Sequence, residues 1–421
     1  MVLSLWSLII PNGLKKRLNA ILCKKEGLWR MGRYNRIIVL LLLAVSLTLT
    51  ACAQPAGTGE PVQGAGTGAQ IQNQAQAPAE EPSNEPAGEP KKMPEEALYV
   101  CQYTTNQVAV IDLATGETVR EIPVGAKPIA LLQSPDGHYV YVANSGSGDV
   151  YRISTVSGEI EARIAMGNQP VAMAINSAGD RLYVLDYYLN RVSSVDLKIR
   201  SMVGFYPLNT CGFEERMEPP DCCHDIFGEP LGAGRKPSAI VLDEAENKIY
   251  VGNMGTWDIA VIDLQEGKEV EAYDAAFGIN EMIFAGSASR LYISAAGNEL
   301  DINDAILSMD LKGGGKTDKV KVGEKPVSIA SSPDGTILYV VTEKEAKLVG
   351  LDTETGQVTG QCLLSGQPGD LALSKAGDKA YIANLLEGTV FVVDTRDYEI
   401  LETLQAGVTP RALVYSDHRQ F

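Results

Sequence analysis

From Ala97 to the C-terminus, apolar and polar residues alternate in runs of four to seven, separated by Gly, Pro, Asp and Asn. A period of two marks short β-strands, and no stretch of this region carries the i, i+3, i+4 spacing of a helix. One copy reads Val140-Tyr141-Val142-Ala143-Asn144, a polar loop, Val150-Tyr151-Arg152-Ile153, a glycine turn, then Gly167-Asn168-Gln169-Pro170. The opening tyrosine recurs at Tyr99, Tyr141, Tyr183, Tyr250, Tyr292, Tyr339 and Tyr381, with gaps of 42, 42, 67, 42, 47 and 42 residues. A unit of this length made of four short strands cannot bury its own faces. Seven of them packed around an axis can, which predicts an all-β, seven-bladed β-propeller.

Each unit divides into strands A to D, innermost to outermost. Strand A follows a proline (Pro128 to Leu132), B carries the tyrosine, C ends in Asp (Val108 to Asp112), and D is Thr118 to Val124. The Asp recurs at Asp112, Asp196, Asp263, Asp310, Asp352 and Asp394, with Ser154 in the second copy. Such a position suits a turn, where the side-chain oxygen accepts backbone N–H bonds and a following Gly takes positive φ. The Ser-Pro-Asp-Gly runs at Ser134–Gly137 and Ser332–Gly335 read as A-to-B turns. The chain enters at a strand B (Ala97 to Val100) and leaves after a seventh strand A, Pro410 to Tyr415. That C-terminal strand A is therefore expected to pair with the N-terminal strands B–D, closing the ring and removing its open edge.

Leu98-Tyr99-Val100, Val140-Tyr141-Val142-Ala143-Asn144, Ile249-Tyr250-Val251-Gly252-Asn253, the Val-Ile-Asp of strand C and Gly-x-x-Pro together resemble the YVTN-type propeller repeats of bacteria and archaea. The resemblance covers residues 97–416 and implies a surface-layer, periplasmic or lactonase-like propeller without fixing one chemistry. Trp257-Asp258 precedes strand C and does not close it, so the repeats are not of the WD40 kind.

The N-terminal segment reads as an address. Met31 to Arg36 is basic, and fifteen apolar or small residues run from Ile37 to Ala51, too few to span a bilayer but suited to a signal-peptide core. Leu49-Thr50-Ala51-Cys52 resembles the lipobox of bacterial lipoproteins, which implies a diacylglyceryl lipid on Cys52 and a signal segment over residues 1–51. Residues 1–30 have no role in that reading, which leaves Met31 as an alternative start. Residues 52–96 are dense in Gly, Pro, Ala, Gln and Glu and poor in large apolar side chains, the composition of a disordered tether. The expected location is extracytoplasmic, at the cell membrane or outer membrane. Residues 1–51 hold eight of the 36 basic and one of the 53 acidic side chains, so the remainder carries 28 against 52, a net charge of −24. Such a surface disfavours duplex nucleic acid.

Regular positions are scaffold, so recognition is expected where the repeat is interrupted. Asp112 to Pro128 spans 16 positions but Asp196 to Pro237 spans 41, an insertion of about residues 210–235 between D and A. Tyr99 to Asp112 spans 13 but Tyr292 to Asp310 spans 18, adding five residues between B and C. Both kinds of loop emerge on the face where the central channel opens. The long insertion carries Cys211, Cys222, Cys223 and His224, which suit either a Cys₃His metal site or a disulfide from Cys211 to Cys222 or Cys223; an oxidising compartment favours the bridge. Lys127, Lys236 and Lys325 immediately precede strand A, with Arg235 and Arg411 beside that position, and together they form a candidate anion-holding cluster. In the fifth unit the same position is read as Asn280, with Glu281 replacing the proline. The acidic loop with Asp301 and Asp304 is a weak Ca²⁺ candidate. No nucleophile elbow, P-loop or HExxH motif is present, and only three histidines occur. The reading is a monomeric, lipid-anchored binding scaffold for a cell-envelope protein, glycan or anionic small molecule, with no cofactor. Its alternative is a lactonase- or lyase-like hydrolytic enzyme using channel carboxylates and a divalent cation.

Overall fold

The computed structural model describes residues 93–208, 235–286, 290–297 and 302–417, all within one compact unit. They form seven four-stranded antiparallel sheets, each in the order A-B-C-D, arranged as a seven-bladed β-propeller. Among the described residues, no helix is long and apolar enough to cross a membrane. Blade 1 joins the two ends of the chain. Its strand A, Pro410–Asp417, pairs with Glu96–Gln102, which continues into Gln107–Asp112 and Thr118–Pro123. The register sets Leu98 opposite Tyr415 and Val100 opposite Leu413. Strands A of blades 2 to 7 are Pro128–Gln133, Pro170–Ile175, Pro237–Asp243, Ile279–Phe284, Pro326–Ser331 and Pro368–Leu373.

Strict alternation holds only at the rim. The middle strands B and C are sandwiched between neighbouring blades and are buried on both faces, as in Leu98 to Cys101 and Val108 to Ile111. Outer strands such as Ile160–Ala165 keep one face in water and alternate. Apolar clusters therefore lie between blades. Leu98, Val100, Ala109 and Ile111 of blade 1 pack on Tyr381, Ala383, Val390 and Val392 of blade 7, so hydrophobic burial closes the ring together with the strand ladder.

The recurrent aspartates are turn residues. Asp112 Oδ1 accepts the Ala114 N–H at 2.9 Å, and Asp196, Asp263, Asp310, Asp352 and Asp394 do the same in their own turns. Ser154 is a weaker copy, accepting the Ser157 N–H at 3.3 Å.

Every strand A is bulged after its first residue, which shifts its register against strand B. That register corrects the sequence alignment of blade 5. Ile279 lies opposite Ala295 as Pro128 lies opposite Asn144, so Ile279 holds the proline position and Gly278 precedes it. Glu281 is thereby the third residue of its strand A. Without a proline to mark it, the strand start was displaced by two positions.

Candidate functional site

Each strand A is pinned where it begins. The first residue of the B-to-C turn donates its N–H to the carbonyl of the residue before strand A in all seven blades: Tyr103 to Thr409, Ser145 to Lys127, Tyr187 to Gln169, Met254 to Lys236, Ala296 to Gly278, Glu343 to Lys325 and Leu385 to Gln367. The D-to-A and B-to-C loops therefore share one face, around the mouth of the central channel. Lys127, Lys236 and Lys325 are held at φ of 54°, 50° and 62°, a left-handed conformation that Gly278 supplies at 72° in blade 5. The insertion itself lies outside the described residues, as do Cys52, Cys211, Cys222, Cys223, His224 and Asp301. Its flanks are at the mouth: Leu208 donates to the Asn190 carbonyl at 2.8 Å, and Gly255 donates to the Arg235 carbonyl at 2.7 Å.

Behind the mouth is a cavity of about 670 Å³ walled by the strands A. The candidate cations divide. Lys325 and Arg411 line this cavity, whereas Lys127, Lys236 and Arg235 do not. Lys325 Nζ is 2.6 Å from Glu343 Oε1, so its charge is largely balanced within the mouth. Arg235 is fully buried, 2.8 Å from Glu269 and 3.8 Å from Asp258. Its place is in the packing of blade 4. Asp304 pairs with Lys321 at 3.0 Å on an exposed edge, and the neighbouring Asn303 side chain donates to the Phe277 and Ala295 carbonyls. Among the described residues no group of three or more His, Cys, Asp or Glu side chains is arranged to hold a metal ion. Cys101 and Cys362 are buried free thiols.

The third position of strand A contributes residues that belong to no sequence motif. It is alanine in four blades (Ala130, Ala172, Ala239 and Ala412), but Glu281, Ser328 and Asp370 occupy it in blades 5, 6 and 7. All three line the cavity. Glu281 Oε2 accepts the Ser328 hydroxyl at 2.9 Å and the Ile329 N–H at 2.8 Å. Asp370 Oδ1 accepts the Leu371 N–H at 2.9 Å and lies 3.3 Å from the same Ser328 hydroxyl, while Oδ2 accepts the Leu413 N–H at 2.8 Å. The two carboxyl groups thus converge on the one Ser328 hydroxyl. Burial pushes the Glu281 carboxyl well above the usual range, and the Asp370 charge adds to this. Burial also raises Asp370. Two buried carboxyl groups that converge on one hydroxyl resist ionising together. The sequence signal was an acid two residues after the start of strand A, where most repeats carry alanine.

The cavity lining mixes apolar residues such as Ile129, Val171 and Met173 with the polar Gln169 and Ser238, and its ionisable groups, Glu281, Asp370, Lys325, Glu343 and Arg411, come from blades 5, 6, 7 and 1. The carboxyl pair offers both a proton donor and an acceptor at one place.

No family model and no curated protein matches the chain. Solved propellers do. A putative 6-phosphogluconolactonase from Bacteroides uniformis superposes with a TM-score of 0.57 at 15% identity, over 76% of this chain and 99% of that one. Hydrazine synthase from Kuenenia stuttgartiensis gives 0.58 at 17% identity, over 71% and 92%. A functionally unknown protein from Desulfotomaculum acetoxidans gives 0.61 at 12% identity, over 76% and 98%. The chain shares their β-propeller fold.

Proposed function

We propose that the protein is a lipid-anchored, extracytoplasmic binding scaffold that recognises its ligand through the channel-mouth face. One observation carries this reading. Among the described residues the mouth gathers three departures from the repeat: the ends of the long insertion, the flanks of the lengthened B-to-C loop of blade 5 and the acidic and hydroxyl third positions of strand A. Among the described residues the opposite face carries recurring Asp-capped and Ser-Asp turns, together with a second cavity lined by Arg290, Asp318, Asp334 and Thr353. Residue Glu96 begins its strand on that opposite face, where its carbonyl accepts the Leu113 N–H. The lipobox-like Leu49 to Cys52 supports the anchor, and Arg411, exposed where it lines the cavity, favours a ligand or partner with an anionic group.

The reading is tested by capturing cell-envelope partners and glycans on the intact chain and on a chain whose residues Thr210–Ala233 are replaced by a short turn. Loss of captured species with unchanged thermal stability supports it, and unchanged capture contradicts it.

A hydrolytic reading has one observation in its favour, the carboxyl pair bridged by Ser328 in a cavity that Arg411 also lines, in a fold shared with a putative lactonase. Turnover of small lactones by the purified chain, abolished in Glu281→Gln, would establish it.

A further inference from the structure

Glu281 and Asp370 are placed by an unusual relation between blades. In blades 6 and 1 the N–H of the fourth residue of strand A is directed at an acid of the preceding blade. Glu281 of blade 5 takes that amide from Ile329 of blade 6, and Asp370 of blade 7 takes it from Leu413 of blade 1. Ser328 stands between the acids with one hydroxyl proton and two carboxyl oxygens, at 2.9 and 3.3 Å. The chain of contacts thus runs without a gap from blade 5 to the strand that closes the ring. Where the third residue is alanine, no side chain makes this link.

We propose that Glu281, Ser328 and Asp370 form a proton-held clamp that fastens blades 5, 6 and 7 to the closing strand, and that the ring loosens at the blade 7–blade 1 junction when the shared proton is lost. With the proton in place, one carboxyl donates to the other and the remaining lone pairs face backbone N–H groups. When it leaves for solvent, two carboxylates face each other with a single hydroxyl proton between them. Burial then turns the contact from attractive to repulsive.

The other groups facing the pair do not replace the proton. The Cys101 thiol, from strand B of blade 1, is buried near Asp370 and is kept protonated by that burial. Lys325 is engaged by Glu343, and Arg411 is exposed at the mouth although it lines the same cavity. No other charged residue lines the cavity among the described residues. The sign follows from the raised proton affinity of the folded pair. Its stabilising effect is complete below the ordinary carboxyl range and is lost as the pH rises toward the folded value.

Amide hydrogen exchange on the full chain between pH 5 and 9, divided by the intrinsic rate at each pH, tests the clamp. Protection at Leu413 and Ile329 should fall with rising pH by up to about tenfold per pH unit inside the window, while Val184 in blade 3 keeps its protection. Glu281→Gln supplies a permanent donor to Asp370 and retains an acceptor for Ile329, so it should flatten the pH dependence at Leu413. Asp370→Asn is the second variant, expected to flatten the same profile if Glu281→Gln does not fold. A pH-independent wild-type profile, or an equal slope in the variants, overturns the proposal. So does a parallel loss at Val184, which would report global unfolding.

Discussion

If ring closure depends on packing between the first and last blades, Leu98→Ala should be among the costliest single truncations in the molecule. Leu98 is fully buried in the cluster shared by blades 1 and 7, beside Tyr381, Val392, Leu404 and Leu413. Removing the equivalent of about three methylene groups forfeits roughly 2.4 kcal/mol of transfer free energy at about 0.8 kcal/mol each. The site is walled by strands of both blades and cannot collapse freely, so a cavity contribution brings the total to about 3–4 kcal/mol. Urea unfolding of residues 84–421 followed by circular dichroism reads this directly. Leu363→Ala is the control: Leu363 is 69% exposed on an outer strand, and its truncation should change stability by less than about 0.5 kcal/mol. A loss below about 1 kcal/mol for Leu98→Ala would refute the claim that this interface carries the closure.

Other expectations are equally specific. Arg235→Ala should cost about 3 kcal/mol because it breaks a buried ion pair, whereas Lys325→Ala should cost less than about 1 kcal/mol because its pair with Glu343 is half-exposed; thermal melts compare the two. Gly148→Ala should lose more than about 1 kcal/mol in the same assay, since φ there is 73° and the new Cβ would lie 2.4 Å from the Gly167 carbonyl oxygen. Cys52→Ser should abolish incorporation of labelled fatty acid in the host cell and release the protein from the membrane fraction. Persistent labelling would contradict lipidation at Cys52.

The fold was legible because burial repeats along the chain. Seven tyrosines, the capped turns and the orphan strand A at Pro410 fix the blade count, the strand order and the closure, and the structure follows them. Blade 5 was misread because Ile279 replaces the proline that marks the start of strand A elsewhere. The carboxyl pair was missed for a related reason. Glu281 and Asp370 lie 89 positions apart in the chain, and their equivalence emerges only when the bulge register aligns third residues with third residues. The cations show the opposite failure. Lys127, Lys236 and Lys325 share one repeat position, yet only Lys325 lines the cavity, while Arg235 is buried against Glu269. A repeat fixes backbone position; the direction of a long side chain depends on the partner available to it.

Recognition at the channel mouth can be read out by site-specific photo-crosslinking in living cells. Leu386, 73% exposed in the B-to-C turn of blade 7, reports on the mouth, and Val156, 66% exposed in a C-to-D turn of blade 2, reports on the opposite face. A photoreactive residue at Leu386 should give a discrete crosslinked species that is absent when the probe sits at Val156. Crosslinking from Val156 with none from Leu386 would place recognition on the wrong face and contradict the account.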